Sequence, residues 1–167
     1  MISEVKIDSR PKISTLGIRI QVPMKIMSAR IDPLVAELSQ WAQRNRVNPA
    51  GPPYLRYYVI DMDADMDIEF GYPVSTIPDL PEEGRITAGI LPAGRYASLT
   101  YTGSGFKGNK ALIEWARDNH IEWDRWDDPK GDAFRCRYES YLTDPKVEPR
   151  KEKWLIEVAI KLREDYR

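Results

Sequence analysis

The chain contains one cysteine, Cys136, and one histidine, His120, among its 167 residues. A single thiol excludes an internal disulfide and a multi-cysteine zinc site, and one imidazole leaves little for histidine-based metal ligation or catalysis. Neither residue has neighbours that form a readable catalytic set, and no metal or cofactor is expected. An excess of one charge is also lacking: 25 basic residues stand against 26 acidic ones, a formal net charge of -1. No surplus of positive charge therefore points to a phosphate backbone or an anionic membrane, and neither nucleic acid nor membrane is expected as a direct partner. No apolar run approaches the ~18 residues that cross a bilayer, and Met1 to Lys6 show no charged-then-apolar leader. The composition predicts a soluble, unprocessed chain in a reducing, cytoplasmic setting. Its length suits one domain, or two small halves sharing a core.

What is present is alternation. In Ile13 to Val22, Leu16, Ile18, Ile20 and Val22 fall on one face of a strand. Asp32-Pro33 offers an N-cap and a first-turn proline, and Leu34, Val35, Leu38, Trp41 and Ala42 follow at helical spacing, predicting an amphipathic helix to about Asn45. Asn48 to Pro53 is too rich in proline and glycine to continue it. Tyr54 to Ile60 and Met66 to Val74 are predicted strands joined by the polar turn 61–65. The acidic residues Asp61, Asp63, Asp65 and Asp67 lack the glycine, the glutamate and the flanking helices of a calcium loop. Ile77 to Arg85 is the expected linker. Beyond it, Ile86 to Tyr101 predicts a strand broken at Leu91 to Gly94. Lys107 to Asn119 predicts a second helix with Trp115 on its apolar face, and Phe134 to Leu142 and Lys153 to Leu162 predict two more strands. Gly103 to Gly108 lacks the Gly-Lys-Ser/Thr ending of a phosphate-binding loop.

The second half thus repeats the first in outline, at an offset of roughly half the chain. Leu55-Arg56-Tyr57-Tyr58 lines up with Tyr138-Glu139-Ser140-Tyr141, and Asp67 to Phe70 with Leu155 to Val158, so that Arg56 corresponds to Glu139, Tyr58 to Tyr141 and Glu69 to Glu157. The expected fold is α+β: a tandem βαββ duplication with pseudo-twofold symmetry, a mainly antiparallel sheet, two helices on one side and a ligand cleft at the seam. The first copy covers about residues 1–76 and the second about 85–167.

Five segments in order carry a resemblance over nearly the whole chain: Gly51-Pro52-Pro53-Tyr54, Met66 to Val74, Leu91 to Ala97, Tyr138 to Pro145, and Trp154 to Val158. They resemble the GyrI-like small-molecule-binding family, the module that serves BmrR-type and some AraC-type regulators as an effector-binding domain. The resemblance implies a tandem βαββ pair whose sheet wraps a ligand cleft. It also implies a glutamate among aromatic rings, here Glu139, that pairs with lipophilic cations. The chain opens directly on the first predicted strand with no preceding helix-turn-helix, so the expectation is a stand-alone member. Such members resemble proteins that sequester small molecules, hydrolases that open strained DNA-alkylating natural products with a cleft glutamate and tyrosine, or modulators of DNA gyrase.

An ionised carboxylate among aromatic rings is costly unless paired, which suits a cationic ligand. Glu139 is accordingly the leading candidate, with Tyr141 on its face by period-two alternation. Arg137 shares that face and could neutralise Glu139 in the empty site. Tyr54, Tyr57, Tyr58 and Tyr101 are further candidate ligand-stacking residues, although tyrosine also packs well on any half-buried sheet. Tyr57 and Tyr58 must point to opposite faces. Glu69 and Glu157 are candidate cleft carboxylates and a possible acid and base pair, against the plainer reading as the polar side of their strands. Trp123 and Trp126, in the turn-rich stretch 122–132, are candidates for a lid, with Trp126 counted as ligand-binding. The expected function is binding of a hydrophobic, cationic organic molecule. The alternatives are a hydrolase in which Glu139 or Glu157 activates water and Tyr141, Tyr58 or Tyr101 donates a proton, and a modulator of gyrase.

Overall fold

The computed structural model describes residues 1–82 and 84–164; Glu83, in the expected linker, and residues 165–167, at the end of the expected second half, lie outside the described residues. Among the described residues the fold is α+β, with ten strands in one curled, antiparallel half-barrel sheet and two α-helices. In chain order the elements are β1 Lys6–Arg10, β2 Ile13–Pro23, α1 Met27–Asn45, β3 Tyr54–Ile60, β4 Asp65–Pro73, β5 Ile86–Leu91, β6 Gly94–Tyr101, α2 Gly105–Asp118, β7 Arg125–Asp128, β8 Gly131–Phe134, β9 Arg137–Tyr141 and β10 Ile156–Lys161. Among the described residues no helix is long and apolar enough to cross a membrane.

The strand order β1-β6-β10-β9-β3-β4-β2-β5 is symmetric about the β9–β3 junction, with the β7–β8 hairpin attached through β3. Two-residue links, Pro11-Lys12 and Pro92-Ala93, join strands that lie toward opposite ends of this order. Only a sheet that curls back on itself permits such short connections. The break at Leu91 to Gly94, expected as a bulge or turn splitting one long strand, separates two strands that do not pair with each other. It is the passage between β5 on β2 and β6 on β10.

Across the central strands the register is Leu55 opposite Glu139, Glu139 opposite Val158, Leu55 opposite Phe70, and Phe70 opposite Ile18. Paired residues share a face, so these side chains and both helices lie on one side: Leu34, Leu38 and Ala42 of α1 pack with Ile18, Leu55 and Phe70, and Leu112 of α2 packs with Leu99 and Val158. The opposite face is turned into the curl and holds Tyr54, Tyr96, Tyr138, Leu91, Cys136 and Ala159.

This register corrects the internal alignment read from the sequence. It makes Leu55 the counterpart of Glu139 and Tyr57 the counterpart of Tyr141, whereas Glu69 and Glu157 remain counterparts because they pair with Arg56 and Ser140. The sequence alignment was one residue out on β3, and a one-residue slip exchanges the two faces of a strand. Arg56 thus does not oppose Glu139. It lies inside the curl, donating to the carbonyls of Ile90 at 2.9 Å and Arg135 at 2.8 Å.

Helix α1 also begins earlier than Asp32-Pro33 predicts, at Met27, and Pro33 lies within it. The apolar row Met27, Ile31, Val35 extends the stripe toward the N-terminus, and tertiary packing there outweighs the single backbone hydrogen bond that proline removes. Ser104 caps α2, its hydroxyl accepting from the Lys107 amide at 3.3 Å. Strand β1 and the β7–β8 hairpin were not anticipated: each is short, polar and without clear alternation.

Candidate functional site

Between the two helices lies a cavity of about 1030 Å³. Its floor is the helix-bearing face of the sheet, with Leu55 and Tyr57 of β3, Phe70 of β4, Tyr101 at the end of β6, Glu139 and Tyr141 of β9, and Ile156 of β10. One wall is the first turns of α1 through Met27, Ile31 and Val35, together with the loop Gly51-Pro52-Pro53; the other is formed by Gly103 and Gly105 at the start of α2. Leu142 to Pro145 and Trp154 close the end, and Asp32, Lys151 and Glu152 stand at the margin. There the Lys151 ammonium lies 3.7 Å from the Asp32 carboxylate. The lining is mainly aliphatic and aromatic, with few polar groups in depth, the usual make-up of a pocket for an organic molecule.

Glu139 is the carboxylate of the floor, 8 % exposed. Its Oε2 accepts a hydrogen bond from the Tyr101 hydroxyl at 2.7 Å. Among the described residues no lysine or arginine forms an ion pair with it. The Tyr101 ring reaches this position because Gly108 carries no side chain: a Cβ there would run into the ring. Burial, and then the neighbouring Glu139 carboxylate, push the phenols of Tyr57, Tyr101 and Tyr141 well above the ordinary tyrosine value. All three stay protonated and act as hydrogen-bond donors or π surfaces rather than as bases. Trp154 packs edge-on against Tyr141 with ring centres 6.3 Å apart, and its indole N–H donates to the Glu148 carbonyl at 2.6 Å.

Of the candidates read from the sequence, Glu139, Tyr141, Tyr57 and Tyr101 come together in this cavity. Tyr54, Tyr58, Glu69 and Glu157 do not, since they alternate onto the face inside the curl. There Tyr54 donates to Glu69 at 2.8 Å, and Arg10 holds Glu157 at 3.0 Å. Tyr58 lies between two guanidinium groups, 3.7 Å from Arg19 and 4.3 Å from Arg56. Glu69 and Glu157 therefore share no cleft with Glu139, and inside the curl each is tied to a partner of its own. Trp126 is on β7, 42 % exposed, with the Arg135 guanidinium 5.0 Å from its ring centre, and it lines no part of the cavity. Sequence reasoning missed Leu55, Phe70, Ile156 and Trp154. The first three could have been found by extending the face of Glu139 across the register, whereas Trp154 and the α1 row required the tertiary arrangement.

Arg137, expected to neutralise Glu139, makes no ion pair with it. Its Nη2 donates to Asn109 Oδ1 of α2 at 2.9 Å, and its guanidinium lies 4.8 Å from the Phe134 ring centre.

The family model of the GyrI-like small molecule binding domain matches residues 3–163. Among solved structures, the chain is similar to EcmrR in its DNA complex, at 19% identity and a TM-score of 0.71, over 97% of this chain and 58% of that one. The isolated EcmrR C-terminal domain aligns at 17% identity and a TM-score of 0.68, covering 97% of this chain and 98% of that one. SAV2435 bound to tetraphenylphosphonium aligns at 10% identity and a TM-score of 0.58, over 96% and 94% of the two chains. A hydrolase from Listeria innocua aligns at 13% identity and a TM-score of 0.58, over 96% and 92%. At these identities the likeness is one of fold, and the chain spans just over half the length of EcmrR. No curated protein sequence matches the chain.

Proposed function

We propose, from the premise that the chain belongs to the GyrI-like small molecule binding domain family, that its cavity binds a hydrophobic organic cation with Glu139 as the counter-charge. The observation that carries this reading is a buried carboxylate on the floor of a largely apolar cavity, with a tyrosine donor and no cationic partner among the described residues. Such a group is costly to bury unpaired, and a cationic ligand supplies what the protein leaves out. Tyr57, Tyr101, Tyr141 and Trp154 offer aromatic surface, each contact with a cation worth about 0.5–2 kcal/mol. The related fold of SAV2435 is described with tetraphenylphosphonium bound, which supports this class of ligand. The test is a titration with tetraphenylphosphonium, followed by calorimetry and by quenching of tryptophan fluorescence, on wild type and Glu139→Gln. Saturable micromolar binding that weakens tenfold or more in the variant, about 1.4 kcal/mol, is expected. Equal affinity in the two proteins, or none in the wild type, refutes the reading.

A second reading is favoured by the 2.7 Å contact between Tyr101 and Glu139. A carboxylate flanked by protonated phenols could take a proton from water as the water attacks a strained electrophile, while Tyr57 or Tyr141 donates a proton to the departing group. Glu157, turned into the curl, has no part in it. Consumption of an epoxide or cyclopropane substrate by the wild type, abolished by Glu139→Gln, would establish this activity; a substrate left intact by wild type excludes it for that compound class.

A further inference from the structure

Two residues before Glu139 on the same strand, Arg137 points to the same face, about 7 Å away by the rise of a strand. It is a half-buried cation without a carboxylate ion-pair partner among the described residues. Asn109 of α2 and the Phe134 ring of β8 hold the guanidinium away from Glu139, and its Nε is buried without a hydrogen-bond partner. The other groups around it are Tyr57 on β3, which continues the β3–β9 register beside it, Glu139 on β9 and Asp132 on β8. Burial pulls its pKa below the ordinary arginine value, yet a guanidinium stays charged in a protein. Arg137 is absent from the cavity lining, so a ligand would feel its charge without touching it.

A positive charge partly withdrawn from water normally closes onto the nearest negative one. Here the side chain is fixed by a neutral amide oxygen and an aromatic face instead, leaving the Glu139 carboxylate open to the cavity. We propose that Arg137 sets the charge selectivity of the cleft. It balances Glu139 at a distance when no ligand is bound, and it opposes an incoming cation, so that affinity for a cation is held down and neutral molecules of similar shape are not excluded. This rests on the reading of the cavity as a cation site. For a ligand charge placed about 10 Å from Arg137, and the effective dielectric of about 20 that suits protein sites, the opposition would amount to roughly a tenfold loss of cation affinity.

Tetraphenylphosphonium and its neutral relative triphenylphosphine oxide would be titrated into wild type, Arg137→Met, Arg137→Gln and Arg137→Lys, with thermal melting to confirm that each is folded. Met replaces the stem without charge, Gln keeps a donor toward Asn109, and Lys keeps the charge. The expected result is that Met and Gln each tighten tetraphenylphosphonium binding about tenfold and leave the oxide within twofold, while Lys resembles the wild type. If both ligands change together in Met and Gln, or cation binding weakens in folded protein, Arg137 is only a packing residue and the proposal is overturned. Unchanged cation affinity in all three variants, with saturable binding by wild type, overturns this proposal alone. Absence of cation binding by wild type overturns it together with the reading on which it rests.

Discussion

Replacing Tyr101 by phenylalanine removes one hydroxyl and leaves the rest of the ring in its slot over Gly108. In the wild type that hydroxyl donates to Glu139 Oε2 at 2.7 Å, and Glu139 is a buried residue that lines the cavity. A hydrogen bond to a charged acceptor contributes about 1.5–3 kcal/mol, and a buried acceptor that loses its donor bears the full desolvation cost. Tyr101→Phe should therefore lower stability in urea titrations at neutral pH by about 1.5–3 kcal/mol, and Tm by roughly 3–12 °C for a chain of this size. The decisive measurement is the double-mutant cycle with Glu139→Gln. In the Gln background the same hydroxyl meets a neutral amide oxygen, where a hydrogen bond is worth about 0.5–1.5 kcal/mol, so the coupling between the two positions should be about 1 kcal/mol or more. A cost for Tyr101→Phe that is the same in both backgrounds, or below about 0.5 kcal/mol in the wild type, would refute the account of Glu139 as a carboxylate held by Tyr101.

Gly108→Ala should lower Tm and weaken tetraphenylphosphonium binding: alanine favours the helix by about 1 kcal/mol, but its methyl would displace Tyr101, and overpacking costs about 1–3 kcal/mol. A variant more stable than wild type would show that the Tyr101 ring has room to move. Glu69 offers a pH test. Burial raises its pKa, even though Tyr54 donates to it, so the folded state binds a proton more tightly than the unfolded chain. The stability linked to that proton is fully present below the ordinary value of 4.5 and declines as pH rises from there through the raised folded value. Glu69→Gln removes this dependence, so its Tm relative to wild type should climb as pH increases above about 4.5; a constant difference between pH 4 and pH 8 would show that Glu69 titrates alike in both states.

The elements were legible where side-chain period was strong. Leu16 to Val22 alternates cleanly and forms β2, Leu34 to Ala42 keeps helical spacing within α1, and Leu112 and Trp115 place α2. Strand β1 and the β7–β8 hairpin escaped because pairing with neighbours, not any apolar rhythm of their own, makes them strands. Glu139 and Tyr141 could be placed together because residues two apart on a strand always share a face. The resemblance to the GyrI-like family then marked that face as the one for a ligand, and the structure places both residues in the cavity.

Local sequence thus determined the strands and helices whose side-chain period is strong, which side chains share a face within a strand, and the family to which the chain belongs. It could not determine register, because a strand reads equally well one residue along, and that slip on β3 alone separated Arg56 from Glu139; it also left open which face of β4 and β10 meets the helices, which is what put Glu69 and Glu157 into the curl. Nor could it bring the first turns of α1, the loop after Gly51 and Trp154 around a single cavity, or turn Arg137 toward Asn109 rather than Glu139. Those outcomes follow from contacts between residues far apart in the chain, which exist only once the sheet has curled and both helices have packed on it.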